Sequence, residues 1–369
     1  CTPLVLQSYI QYCTCSIQEM SSDELDPLDQ FMAEIANKPG DADTNEPVFN
    51  EEPLIQEEDE EDPDEMIKES ENRLDDLERL MAMAAKKASQ KELGVVDHTK
   101  IDYPSFRKNF YRETSELARM TREQVDDYLH TLHNIRIRGR DCPKPVLTWA
   151  QAGLAQGVME CLMEERRFMS PTPVQSVTMP CLLSGRDVIA VAKTGSGKTL
   201  AFLLPLLRHV ADQPRSQMGD LAGPIGLILT PTRELAIQTY REAVKLGTAT
   251  DPRIRVVCAY GGAPIAEQIG DLKRGADVVV CTPGRMIDLL LSSSGKTTNL
   301  RRVTFVVLDE ADRMFDMGFG PQVLQIVQNV RPDRQTVLTS ATFPKQMEMV
   351  ARRVLTKPLE IIVGAHSAV

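Results

Sequence analysis

Along the second half of the chain, apolar residues arrive in short unbroken runs separated by helix-length stretches in which they recur every three or four positions. The runs occupy residues 187–191, 225–230, 255–260, 277–282, 305–309, 336–340 and 360–363. None alternates strictly between apolar and polar residues, so each is expected to be a strand covered on both faces. Strands of that kind joined by helices predict a parallel sheet flanked by helices, an α/β domain. The pattern sets in near Trp149, which places the domain at 147–369.

Upstream the period changes. Thr121-Arg122-Glu123-Gln124 reads as a capping box ahead of Val125, Tyr128, Leu129 and Leu132, and Ile135-Arg136-Ile137-Arg138 alternates as a strand does. Leu74, Leu77, Leu80 and Met81 share one face of an amphipathic helix over 70–91, so residues 68–146 are expected to form a helical flank. Residues 1–67 lose the pattern altogether. No Lys or Arg lies between Pro39 and Ile67, and 57–62 is an unbroken acidic run, which predicts a largely disordered acidic arm. Inside it Leu28, Phe31, Met32 and Ile35 would share one helical face, making 26–32 a candidate docking motif, with a transient apolar cluster as the alternative.

Charge sharpens that division. Residues 1–100 hold 8 Lys and Arg against 26 Asp and Glu, whereas residues 101–369 hold 34 against 27. The overall charge of −11 therefore conceals a mildly basic body, compatible with a polyanionic partner. The 8 cysteines include no Cys-x-x-Cys pair and no His at ligand spacing, so a zinc site is not expected, and the compartment is expected to be reducing. No apolar stretch approaches the ~20 residues of a membrane-spanning helix. The chain opens on Cys1 rather than Met, as a fragment would.

Chemistry enters at Ala192-Lys193-Thr194-Gly195-Ser196-Gly197-Lys198-Thr199, directly behind the run ending at Val191. Glycines at a strand-to-helix turn let backbone N–H groups cradle a phosphate, and the following helix adds its positive dipole end. Lys198 would reach the β- and γ-phosphates of a nucleotide and Thr199 would offer its hydroxyl to Mg²⁺. The general pattern begins with Gly where this chain has Ala192, so the motif alone leaves the class of nucleotidase open. A second motif, Asp309-Glu310-Ala311-Asp312, closes the run at 305–308. Asp309 could hold Mg²⁺ through water, and Glu310 could orient and deprotonate the attacking water.

With these two motifs stand others in an order that resembles the DEAD-box RNA helicases. Phe168-Met169-Ser170-Pro171-Thr172-Pro173-Val174-Gln175 resembles that family's adenine-reading segment, in which Gln175 would bond the base edge and Phe168 would pack on it, with Trp149 as the isolated upstream aromatic. Pro231-Thr232-Arg233, Gly261-Gly262 and Thr282-Pro283-Gly284-Arg285 resemble its RNA-facing motifs, and Ser340-Ala341-Thr342 the motif that couples hydrolysis to strand separation. Alanine at 192 is the norm in that family. The resemblance implies a RecA-like domain, ATP and Mg²⁺ as cofactors, and RNA held by its backbone without reading of sequence. Asp141-Cys142-Pro143-Lys144-Pro145, Leu300 to Thr304 and Asp312 to Phe319 resemble more narrowly the members that act in early spliceosome assembly. That likeness implies a nuclear protein whose 26–32 motif engages small nuclear ribonucleoproteins. Nothing resembling His-Arg-x-Gly-Arg follows Ala341, so the second RecA-like domain is expected to lie outside this chain. The competing reading, an ATP-dependent RNA clamp with little turnover, is disfavoured by the presence of both Asp309 and Glu310.

Overall fold

Runs of Val, Ile and Leu without polar alternation have no face to turn toward water, and the structure covers each of them on both sides. The computed structural model describes residues 93–132, 135–214, 223–292 and 298–364. The acidic arm, the 26–32 motif and the 70–91 helix expected from the sequence lie outside the described residues. In chain order the regular elements are α1 (Ser115–Arg119), α2 (Arg122–Thr131), β1 (Arg136–Arg138), α3 (Gln156–Glu160), α4 (Pro173–Leu183), β2 (Val188–Ala192), α5 (Lys198–Ala211) and β3 (Gly226–Leu229). There follow α6 (Arg233–Thr248), β4 (Val256–Ala259), α7 (Ile265–Lys273), β5 (Val278–Cys281), α8 (Pro283–Leu291), β6 (Phe305–Leu308), α9 (Ala311–Asp316), α10 (Gly320–Gln328), β7 (Gln335–Ser340), α11 (Lys345–Val354) and β8 (Leu359–Val363).

The eight strands form one sheet in the order β1-β8-β2-β7-β6-β3-β5-β4. Seven of them run parallel, as the sequence pattern predicts. The difference is β1, which pairs antiparallel with β8, Ile137 opposite Ile361. This strand comes from the 68–146 segment, so the flank completes the sheet. It also enters the core: Leu117 and Val146 are fully buried with Trp149 in the same cluster as Val188, Ala190 and Ala192. Ile189 and Val191 point the other way, into the cluster with Leu227, Leu229 and Leu308. The side-chain period of two thus divides β2 between two apolar layers.

The capping box of α2 forms as its sequence predicts, Thr121 Oγ1 accepting from Gln124 N and Gln124 Oε1 from Thr121 N. Upstream of α1 the chain runs as an extended strap along the amino ends of the strands. Arg331 Nη2 donates to Pro104 O at 2.9 Å, and its guanidinium stacks on Tyr103 and Phe106 at 4.7 Å. Phe106, Phe110 and Phe305 surround His209 edge-on at 5.3 to 6.0 Å. His209 is 1% exposed and lies 2.8 Å from Thr304 Oγ1. Burial pushes its imidazole down to about 3, so it stays neutral and packs as an aromatic residue.

Candidate nucleotide and RNA sites

Because seven strands are parallel, the loops that follow them open on one edge, and the nucleotide and RNA motifs from Ala192 onward are such loops or the starts of the helices beyond them, while Phe168 to Gln175 reaches the same edge from the turn into α4. The strand order then sorts them. β2, β7 and β6 are neighbours and present Ala192 to Thr199, Ser340 to Thr342, and Asp309 with Glu310. β3, β5 and β4 are neighbours on the other side and present Pro231 to Arg233, Thr282 to Arg285, and Gly261 with Gly262. In sequence the second set stands as one block between the loop after β2 and those after β6 and β7, and the crossovers bring the outer three together.

The phosphate loop turns on Gly195 (φ 74°) and Gly197 (φ 96°), backbone angles that L side chains rarely adopt. Lys198 is 7% exposed and its ammonium donates to the loop carbonyls of Ala192 and Lys193. Burial lowers the pKa of Lys198, while the carboxylates of Asp309, Asp312 and Glu310 act against the shift. Gln175, 2% exposed, accepts from Thr172 N at 2.8 Å and donates to Gly197 O at 3.0 Å. Here its amide fastens the start of α4 to the phosphate loop, so a contact to a base edge has to be made in exchange for, or beside, that bond. Phe168 is exposed and lies under the Arg166 guanidinium at 4.9 Å. Trp149 is buried and does not face the site as a free aromatic; its Nε1 donates to Phe168 O at 2.8 Å and so fixes where Phe168 stands. The loop also fits a nucleotide by its chemistry, since Ser196 Oγ is buried without a partner and Thr199 is half-buried at the first turn of α5.

Asp309 ends β6 and is 3% exposed, its Oδ1 accepting from Thr339 Oγ1 at 2.6 Å. Burial raises its carboxyl to about 6, with the hydrogen bond from Thr339 and the Lys198 charge pulling the other way. The folded pKa exceeds the ordinary ~3.9, so the folded state holds the proton more tightly than the unfolded chain does, and stability falls as pH rises from about 4 to about 6. Replacing Asp309 by Asn is therefore expected to raise the unfolding free energy near neutral pH by up to about 3 kcal/mol, a gain that fades as pH falls from about 6 and is gone by about pH 4, while removing Mg²⁺-dependent nucleotide binding. Thermal unfolding across pH with calorimetric titration checks both halves; a loss of stability near neutral pH would contradict the first.

Glu310 caps α9 in the left-handed conformation, φ 49° and ψ 54°, an uncommon placement for a residue with a side chain. The turn that follows brings Asp312 against the loop after β7. Its Oδ2 accepts from Ala341 N at 3.1 Å, Thr342 N at 2.9 Å and Thr342 Oγ1 at 3.0 Å. Burial alone would raise the Asp312 carboxyl, but the hydrogen bonds outweigh it and hold the pKa below the usual value. Asp312 is thus the mechanical link between the carboxylate pair and Ser340-Ala341-Thr342. Neither Thr339 nor the role of Asp312 emerges from the sequence reading. A threonine among apolar neighbours in Thr336 to Ser340 is the one signal that marks Thr339 as a partner to something buried.

On the other half, Thr232 caps α6, accepting from Leu235 N at 3.2 Å, and Arg233 is exposed beside Glu234 at 3.2 Å. A Cβ added to Gly262 (φ 90°) would lie 3.3 Å from Arg233 Nη1, so the glycine leaves room for that guanidinium. Thr282 and Pro283 start α8, and Gly261 and Gly284 have open space where a Cβ would stand. Arg285 is turned inward: Nη2 donates to Ala263 O at 3.0 Å and Nη1 to Gln268 Oε1 at 3.3 Å, while Nε is buried without a partner.

This arrangement matches known proteins. A family model described as DEAD/DEAH box helicase covers residues 172–350. The chain carries a DEAD-box helicase domain. Over 350 residues the chain is 51% identical to the pre-mRNA-processing ATP-dependent RNA helicase prp11 of Schizosaccharomyces pombe, an alignment covering 95% of this chain and 33% of that protein. Over 280 residues it is 56% identical to the probable ATP-dependent RNA helicase DDX46 of Danio rerio, covering 76% and 27%. The chain spans about a third of the length of the curated relatives it matches. Among solved structures, the yeast DEAD-box splicing factor Prp28 superposes with a TM-score of 0.62 at 31% identity, covering 69% of this chain and 59% of that one. Prp28 of Chaetomium thermophilum, determined bound to ADP, gives 0.60 at 33% identity, covering 69% and 60%. The DEAD-box domain thus has the RecA-like architecture expected from the resemblance. No helix among the described residues is long and apolar enough to cross a membrane.

Proposed function

We propose that this DEAD-box domain is the nucleotide-binding half of an RNA-stimulated ATPase that remodels RNA or ribonucleoprotein during pre-mRNA processing in the nucleus. The observation that carries the reading is the strand order, which gathers Lys198, Asp309, Glu310 and the Asp312 link to Ser340-Ala341-Thr342 on three adjacent strands, beside a separate set of loops after β3, β4 and β5. The names of the relatives support the process.

In this reading Lys193 to Thr199 cradle the phosphates of ATP, and Lys198 exchanges its loop carbonyls for phosphate oxygens. Mg²⁺, held by Thr199 and through water by Asp309, would neutralise charge on those phosphates. Glu310 orients the attacking water and accepts its proton. Pro231, Thr232, Arg233, Gly261, Gly262, Thr282, Pro283, Gly284 and Arg285 contact the RNA backbone, whose phosphates position a strand without specifying it. The same reading makes small nuclear ribonucleoproteins the partners of the 26–32 motif.

The test is phosphate release from ATP by the complete protein with RNA or DNA of one sequence. Stimulation by RNA alone is expected. Equal stimulation by DNA would reassign the substrate, and binding of ATP and RNA without multiple turnover would favour a clamp.

A further inference from the structure

Away from the strand-end edge, Arg107 and Arg112 on the strap and Arg208 on α5 line one cavity of about 340 Å³ with Phe110 and Gly153. Arg208 lies ten residues beyond Lys198 on the same helix, about 15 Å from the phosphate loop at the helical rise. Two of the three guanidinium groups share one ring: Arg107 stands 4.8 Å and Arg208 5.2 Å from the centre of Phe110. That stacking holds two like charges within a Debye length of each other. The nearby carboxylates offset one of the three arginines. Asp212 pairs with Arg107 at 3.7 Å, Glu113 with Lys144 at 3.3 Å, and Glu116 accepts from Gln151 at 3.0 Å. Arg112 and Arg208 have no carboxylate within ion-pair distance among the described residues.

We propose that Arg107, Arg112 and Arg208 form a second site for the phosphodiester backbone of RNA, distinct from the loops after β3, β4 and β5. The inference rests on the RNA reading above. An anion in this cavity would supply the counter-charge that Arg112 and Arg208 lack, and the planar fork of arginine suits phosphate oxygens. RNA is favoured over a free anion because the cavity is open and lined from three separate stretches, the strap, the turn at Ala152-Gly153 and α5, which suits a chain passing through. Its contacts would be independent of the nucleotide, since none of its lining residues belongs to the phosphate loop or the carboxylate turn.

The experiment measures binding of a single-stranded RNA to this chain by anisotropy over a range of salt. It uses Arg112→Ala/Arg208→Ala, with Arg233→Ala/Arg285→Ala as the strand-edge comparison and Arg119→Ala/Arg122→Ala as a charge control on the same flank. Matching thermal midpoints establish that the variants fold. Removing two arginine–phosphate ion pairs to a single strand should make the slope of log affinity against log salt shallower by about 1.4, so the advantage of the wild type shrinks about sevenfold from 50 to 200 mM salt. An unchanged slope in Arg112→Ala/Arg208→Ala beside a loss in Arg233→Ala/Arg285→Ala would overturn the proposal and leave the RNA reading standing. An equal loss in the charge control would also overturn it, by tracing the effect to net charge. Absence of RNA binding by every protein, wild type included, would overturn the reading and the proposal together. Inorganic phosphate at matched ionic strength supplies a further arm: if it perturbs the Arg208 side-chain resonance and RNA does not, the site is one for a free anion and the proposal fails.

Discussion

Gly197→Ala is expected to weaken ATP binding by about 10² or more while the domain stays folded. At φ 96° any side chain is strained by about 1 to 2 kcal/mol. A Cβ there would also stand 2.5 Å from Gln175 Nε2 and 3.0 Å from Thr172 Oγ1, well inside contact distance. Gln175 can swing away, but only by giving up its bond to Gly197 O, which is what fastens α4 to the phosphate loop. The substitution therefore deforms the cradle and releases Gln175 at once. Gly195 supplies the control, since its φ is 74° and nothing lies within 4 Å of the added atom. Gly195→Ala should cost only the backbone strain, a tenfold effect or so. Calorimetric titration of both variants with ATP and Mg²⁺ checks this; equal losses would show that the Gln175 contact has no bearing on the nucleotide.

Glu310→Gln should retain ATP and RNA binding and lose hydrolysis by about 10² to 10⁴, the usual worth of a positioned general base. Gln has the same shape, so the left-handed turn at φ 49° and the Asp312 bonds beyond it should persist. What goes is the ability to take a proton from water. The measurement belongs in the complete protein, because positive charge on the transferring phosphoryl group, worth ~10³ to 10⁵ in rate when supplied by an arginine finger, is expected from residues outside these. Normal turnover in the variant would mean that another group activates the water.

Both substitutions act on residues that the chain announces locally. Gly197, Lys198, Asp309 and Glu310 each follow closely on an apolar run, so strand-to-turn spacing reveals them. The seven parallel strands are legible for the same reason, because unbroken β-rich runs need cover on both faces. What spacing does not carry is neighbourhood. That Asp312 binds Thr342 from 30 residues away, or that Thr339 holds Asp309, depends on β6 and β7 lying side by side, which follows from crossovers and not from any local signal. The role of Trp149 is equally hidden: an isolated aromatic in sequence does not reveal that it packs inward and holds the carbonyl of Phe168. The strand β1 is visible as an alternating Ile-Arg pattern, yet its place in the sheet is not, since its partner lies more than 200 residues later.

The place of β2 in that sheet bears on how the domain can be handled in isolation. The family match ends at 350, before β8, and begins at 172, after β1. A protein trimmed to those limits would strip both strands from one side and leave Val188-Ile189-Ala190-Val191-Ala192 as a bare edge, five apolar residues with unpaired backbone groups facing water. Such an edge is a template for pairing with another molecule, and none of the devices that blunt natural edges is present in it. It would also remove Leu117, Val146 and Trp149 from the layer beneath. The shortest piece expected to keep this side of the sheet closed runs from the strap through Val363, with Arg136 and Arg138 on β1 serving as its charged border.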